Sequence, residues 1–449
     1  MFKKVLAMVL SLTMAAALFT GCGSAPKTEA GTPENGDSSA APAAEEVTLN
    51  IFQFKVEIQE ALEKSMATYM ESHPNVKINL KTVGGGDDYG AALKAEMQSE
   101  EPTIFNCGGP QDIYDWQEKL EDLSAEPWVS KAVEGTLGGV TVDGKVYGMP
   151  YAIEGYGFTC NKEIMEAAGV DISKINSYDA LEAACKTIDA KIKDGSLKEK
   201  YPDLKAVFAL PAKETWIVGT HAVNVPLSQE FDSVLDAFSA KTVDFKYADG
   251  YKALIDLQAN YSEYANDKGK LNAMDYSTQV KEDFSLEKVV MIQQGNWIYN
   301  DVNSMDAKVA QKLDILPMPI KGAKEDSIPV GVPNYWVINK DSTDAQKAAA
   351  KDFLNWLYTS EEGMNIVVNE FFFIPPFTGY TAEPADPLGK AVKRYADAGK
   401  TLPWVFQGCP TGNWVMDVMG TNVQKYLAGE FTWQQTIDDA KAQWEQRRK

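Results

Sequence analysis

The chain is poor in the residue types that chemistry usually needs. Its 449 residues include two histidines, His73 and His221, so a histidine-rich metal centre is excluded and a Ser-His-Asp triad would have to use one of them. His73 stands in a Ser-His-Pro turn that should end a helix, and no Gly-x-Ser-x-Gly elbow occurs. Gly139 to Lys145 matches the spacing of a phosphate-binding loop, but Val146 occupies the place of the magnesium-binding Ser or Thr. Asp143-Gly144 between Val140-Thr141-Val142 and Val146-Tyr147 predicts instead a β-hairpin with a type I′ turn. Gly84-Gly85-Gly86 lacks the spacing of a dinucleotide-binding turn. Paired carboxylates can cleave glycosides, yet Asp87 and Asp88 are adjacent, so on a strand or a helix their side chains diverge. Cys107, Cys160, Cys185 and Cys409 form no close pair and no metal-ligand spacing, and read as buried small apolar residues. No cofactor and no metal is expected, and the chain reads as a binder rather than an enzyme.

What the chain does have is aromatic residues beside loop-type sequence: Trp216, Trp297, Tyr335-Trp336, Trp404 and Trp414. A sugar presents an apolar C–H face and a rim of hydroxyls, so its site needs flat aromatic platforms with Asp, Glu, Asn or Gln at their edges.

The elements that would position these residues are legible in part. Val47 to Phe52 alternates apolar and polar residues as a strand does, Ile58, Leu62, Met66, Tyr69 and Met70 recur at helical spacing, and Val76, Ile78 and Leu80 alternate again. Strand, helix and strand with short connections predict a βαβ unit, hence an α/β fold with mixed sheets flanked by helices. Loops beyond strand ends are where ligands approach such sheets. Later helices are expected over Tyr89 to Ser99, Tyr251 to Asn260 and Ala345 to Tyr358, with a last one from about Thr432 that places Trp433, Ile437 and Trp444 near one face.

Residues 1–21 read as a secretory signal peptide: Lys3 and Lys4 precede an apolar stretch from Val5 to Phe19 that is too short to span a bilayer. It runs into Phe19-Thr20-Gly21-Cys22, which resembles a bacterial lipobox with Phe19 where Leu is usual. Cys22 is therefore the expected lipidation site, holding the protein to the outer face of the cell membrane. Residues 22–46 are rich in Ala, Pro, Gly, Ser, Thr and Glu and predict a disordered tether. The remaining length exceeds what one core usually serves, so two lobes are expected. A net charge of -21 argues against nucleic acid as a partner.

In this order, several short blocks make the chain resemble the extracellular solute-binding proteins (family 1) of bacterial sugar ABC importers, the family that includes maltose-binding protein. They are Pro102-Thr103-Ile104-Phe105, Leu120 to Ser124, Asp143 to Pro150, Gly155 to Lys162 with Cys160 where the family usually has Tyr, and Gly295-Asn296-Trp297 with Val290-Met291 upstream. The resemblance implies a periplasmic-binding-protein-like fold (type II), with the ligand cleft between two lobes. It implies chain crossings near Ala152 to Gly155, Asp314 to Pro317 and Phe372 to Pro375, so that lobe one is 47–153 plus 315–373 and lobe two is 154–314 plus 374–449. Carried over by position, the implied ligand residues are Gln53, Lys55, Gln111 beside Gly109 and Pro110, Glu154, Tyr156 and Trp297, the last as a stacking platform. Tyr335, Trp336, Asp87, Asp88, Trp216 and Trp414 with Asn413 are further candidates. The implied function is a lipoprotein that binds a mono- or oligosaccharide without chemistry and delivers it, as a monomer, to the permease subunits of an ABC importer. The alternatives left open are the same fold binding a polyamine or another small non-sugar solute, and a lipid-anchored glycosidase.

Overall fold

The alternation of Val47 to Phe52 does build a strand. The computed structural model describes residues 46–84, 87–410 and 413–449; the leader, Cys22, the tether up to residue 45, and Gly85 and Gly86 lie outside the described residues. In chain order the strands are β1 (Val47–Gln53), β2 (Val76–Thr82), β3 (Ile104–Cys107), β4 (Thr141–Val142), β5 (Lys145–Val146), β6 (Met149–Pro150), β7 (Glu154–Asn161), β8 (Ala206–Ala209), β9 (Val289–Gly295), β10 (Leu313–Leu316), β11 (Ile328–Gly331), β12 (Tyr335–Ile338) and β13 (Thr401–Leu402).

β1 and β2 are parallel and joined by the helix Gln59–Ser72, as the sequence predicts. The first sheet runs β2-β1-β3-β12-β6, with β12 antiparallel to both neighbours. Leu49 and Ile51 face helices Gln59–Ser72 and Asp344–Thr359 in a cluster with Leu62, Met66, Phe353 and Leu357. Phe52, one residue on, points to the opposite face and packs with Leu93 and Ile113. Helices on both faces bury the second half of the strand, Ile51, Phe52 and Gln53, on both sides.

The second sheet runs β13-β11-β7-β9-β8, and β10 pairs with the far half of β7. Its long central strand β7 is buried throughout. One face packs on helix Tyr178–Lys193 through Leu181 and Cys185; the other meets Leu388 and Val392 of helix Pro387–Asp397. β4 and β5 form the expected hairpin, with Asp143 and Gly144 both at positive φ, 51° and 77°. Both central residues of a type I′ turn require that region.

One passage between sheets falls later than expected. β10 and β11 both pair antiparallel with β7, so the chain stays in the second sheet through Gly331 and returns to the first only at Tyr335. The expectation of a crossing at 314–317 is corrected on this point, because the loop after Leu316 turns back to the same strand. The first passage lies between Pro150 and Glu154. The four cysteines named above are free and buried. Among the described residues no helix is long and apolar enough to cross a membrane.

Candidate functional site

The site grows from the start of β7, where the chain has just entered the second sheet. Glu154 and Tyr156 are two residues apart and share a face. Across the ladder Glu154 sits opposite Gly331 of β11, and Tyr156 opposite Gly295 of β9. Each glycine seats a tryptophan. A Cβ on Gly295 would overlap Trp297 Cζ3, and one on Gly331 would lie 2.6 Å from Trp404 Cγ. The two indoles flank Tyr156, with ring centroids 6.2 Å (Trp297) and 5.6 Å (Trp404) from it.

His221 completes the group. Its imidazole stacks on Tyr156 at 4.3 Å and 20° between planes, and the Tyr156 hydroxyl donates to the His221 carbonyl at 3.0 Å. Trp216 meets the imidazole edge-on at 5.2 Å. Both residues belong to one π-helical stretch, Trp216–His221, the widened turn that is often found at functional sites. Trp216 Nε1 donates to Glu214 Oε2 (3.0 Å), and Trp297 Nε1 to Gln294 Oε1 (2.9 Å). Burial, and then the nearby charge of Lys55, push the His221 imidazole down to about 3, so it is neutral at physiological pH.

Beside the rings lies a charged group. Lys55 Nζ is 2.6 Å from Glu57 Oε1 and 2.6 Å from Glu154 Oε1, and the Lys55 side chain is 3% exposed. Burial alone would lower the Lys55 ammonium; the carboxylates of Glu154 and Glu57 outweigh it and hold the ammonium well above its usual range. Burial acts in the opposite sense on Glu154, raising its carboxyl against the pull of Lys55. Contacts this short to a lysine so firmly protonated favour the ionised pair. Glu57, Glu154, Asn296, Trp297 and Phe371 to Phe373 line a cavity of about 10 Å³. That is room for one water, far below the roughly 300 Å³ at which ligand pockets begin.

The sequence candidates divide accordingly. Lys55, Glu154, Tyr156, Trp216 and Trp297 come together here. Gln53 does not reach it as a contact residue: fully buried, its amide accepts from Lys55 N and donates to Lys55 O and Thr82 Oγ1, so it fixes the backbone that carries Lys55. Trp336 stacks on Tyr151 at 4.2 Å and donates to the Tyr358 hydroxyl, inside the first core. Trp414 is fully buried, donates to the Ala440 carbonyl and packs edge-on against Trp444. Tyr335 is buried and donates to the Thr136 carbonyl. None of these three side chains joins the group around Tyr156. Gln111 bonds Asp115 and Arg448, Asp88 caps helix Tyr89–Ser99 through Ala91 N, and Asp87 is exposed. Asn413, at positive φ, immediately precedes the stretch Trp414–Gly420. Trp404, one of the aromatics singled out by sequence, joins the group together with His221 and Glu57, which were not offered as ligand residues. A residue-type signal existed for Trp404, which follows Leu402-Pro403 beside a strand; nothing local marks His221.

Two mixed sheets flanked by helices thus meet beside an aromatic, hydrogen-bonded group. The chain belongs to the bacterial extracellular solute-binding proteins, whose family model matches residues 64–398. No curated protein sequence matches it. Among solved structures it is similar to a chitin oligosaccharide binding protein (22% identity, 90% of this chain and 99% of the other, TM-score 0.73). It is also similar to a Bacillus licheniformis sugar transporter protein in complex with stachyose (19%, 89% and 99%, TM-score 0.66) and to maltose-bound MalE3 of T. maritima (17%, 89% and 99%, TM-score 0.66). At these identities the likeness establishes the two-lobed fold. Membership of an extracellular family places the protein outside the cytoplasm.

Proposed function

We propose that the protein binds a mono- or oligosaccharide between its two lobes and delivers it to the permease of an ABC importer, as a monomer lipidated at Cys22 and without chemistry of its own. The observation that carries this reading is the group of Tyr156, Trp297, Trp404 and His221 gathered beside the Lys55, Glu57 and Glu154 charges. Aromatic faces suit the C–H face of a sugar, and the charged rim suits its hydroxyls. The chitin oligosaccharide, stachyose and maltose named for the similar structures support the same ligand class. Lobe one takes the first sheet, 47–153 with 335–373, and lobe two the second, 154–331 with 374–449. Because the cavity holds about one water, entry of a sugar requires the lobes to part, and the ligand then stabilises closure by touching both.

Fluorescence and thermal-shift titration of the intact protein with saccharides tests the reading. A ligand that binds the folded state alone raises the melting temperature. A saccharide that does so for the wild type and not for Trp297→Ala supports it; silence across the saccharides with a response to spermidine overturns it in favour of polyamine binding. That second reading draws on the acidic wall of Glu57, Glu154 and Glu214 near the rings.

A further inference from the structure

Two polar atoms in the aromatic group are buried and have no hydrogen-bond partner among the described residues: His221 Nδ1 and Trp404 Nε1. The residues are 8% and 5% exposed, and their rings lie 6.2 Å apart between centroids at 45°. Every other indole described above as belonging to this group has its N–H engaged, Trp216 on Glu214 and Trp297 on Gln294. A buried donor or acceptor left unmade is costly, and native proteins keep few of them without a functional reason.

The two atoms constrain what can satisfy them. An indole N–H only donates, so Trp404 needs an acceptor, which an ammonium group cannot be. A neutral imidazole nitrogen accepts or donates according to tautomer, and a hydroxyl, which does both, serves either form. A carboxylate could accept from Trp404, but it would bring a negative charge to a recess whose cation, Lys55, is already held by Glu57 and Glu154. One lysine against two carboxylates leaves the local balance negative.

We infer that His221 Nδ1 and Trp404 Nε1 are the hydroxyl-reading pair of the site, completed by hydroxyls of an uncharged sugar, and that the site rejects uronic acids. The inference rests on the saccharide reading above and narrows it to neutral glycans.

The test uses two substitutions that keep a ring and remove the polar atom, His221→Phe and Trp404→Phe, in the intact protein. Calorimetric titration is run with maltose, stachyose, N,N′-diacetylchitobiose and digalacturonate, together with melting curves of the unliganded proteins. The expected result is neutral-sugar binding by the wild type, weakened about 3- to 10-fold by each substitution, the effect of one hydrogen bond. The unliganded His221→Phe protein should melt at or above the wild-type temperature, because it has lost a buried unpaired group, whereas Trp404→Phe also leaves a cavity and is read by its Kd. A purely packing role predicts the opposite pair of outcomes, a lower melting temperature with an unchanged Kd, and either variant giving it overturns the inference. Tighter binding of digalacturonate than of every neutral sugar overturns it as well, while leaving saccharide binding intact. A wild type that binds none of the four sugars removes the saccharide reading itself, and this inference with it.

Discussion

The ammonium of Lys55, just beyond the end of β1, lies 2.6 Å from the Glu154 carboxylate at the start of β7, so one ion pair joins the two sheets where the chain first passes between them. Removing one partner of a buried pair leaves the other charge uncompensated. Lys55→Met should therefore lower folding stability by about 3–5 kcal/mol, measured by urea unfolding. Because the folded-state value of Lys55 is raised, its contribution is present below the ordinary lysine value of about 10.4 and is lost only as pH climbs through the higher folded value. A Lys55→Met protein as stable as the wild type at neutral pH would show that the pair adds nothing.

His221 works with the opposite sign. Its folded value is depressed to about 3, so between about pH 6.5 and pH 3 the unfolded chain holds a proton that the folded chain does not. Stability should fall with falling pH over that window, by up to about 1.4 kcal/mol per pH unit from this group. Comparing wild type with His221→Phe at each pH isolates the effect from the carboxylates; parallel stability curves would refute it.

The glycine seats make a separate prediction. In Gly295→Ala the new methyl would occupy the space of the Trp297 ring, and in Gly331→Ala it would press on Trp404. Overpacking of this kind costs about 1–3 kcal/mol; at Gly331 the indole is what must give way, while at Gly295 the Gly155 carbonyl oxygen, 2.5 Å from the new methyl, must shift too. Each variant should stay folded with shifted tryptophan emission and lose at least about tenfold in saccharide affinity, one 1.4 kcal/mol step. Unchanged emission and Kd would mean the rings are not held where the glycines place them.

Trp336 and Trp297 should part company under the same substitution. Trp336, fully buried on Tyr151, should cost about 3–5 kcal/mol on change to alanine, as a core aromatic does. Trp297→Ala should cost less stability and most of the binding. Equal melting temperatures for the two variants would contradict the assignment.

These contrasts mark what the sequence could and could not tell. Elements set by near neighbours were readable: the βαβ unit from Val47 to Thr82, the Asp143-Gly144 hairpin, and the C-terminal helix, whose Thr432 cap closes a box with Gln435. Lys55 and Trp297, just past the ends of β1 and β9, and Glu154, at the start of β7, were singled out by the family resemblance, and the fold brings them together. Residue type alone does not say which side of a strand or helix is covered, so it did not separate Trp336 and Trp414, packed in core clusters, from Trp297. His221 and Trp404 meet only through the folded sheet, and the sheet that receives β11 is decided by pairing with β7, far away in the chain.

The π-helical stretch Trp216–His221 has a consequence for chain length. Each residue of an α-helix advances about 100° around its axis. The π-helical turn holds one residue more than an α turn, so deleting one residue between Trp216 and His221 would let it relax to the narrower α register with the two residues on nearly the same face. The stretch is therefore where the chain can absorb a change of one residue in length while Trp216 and His221 keep their common face.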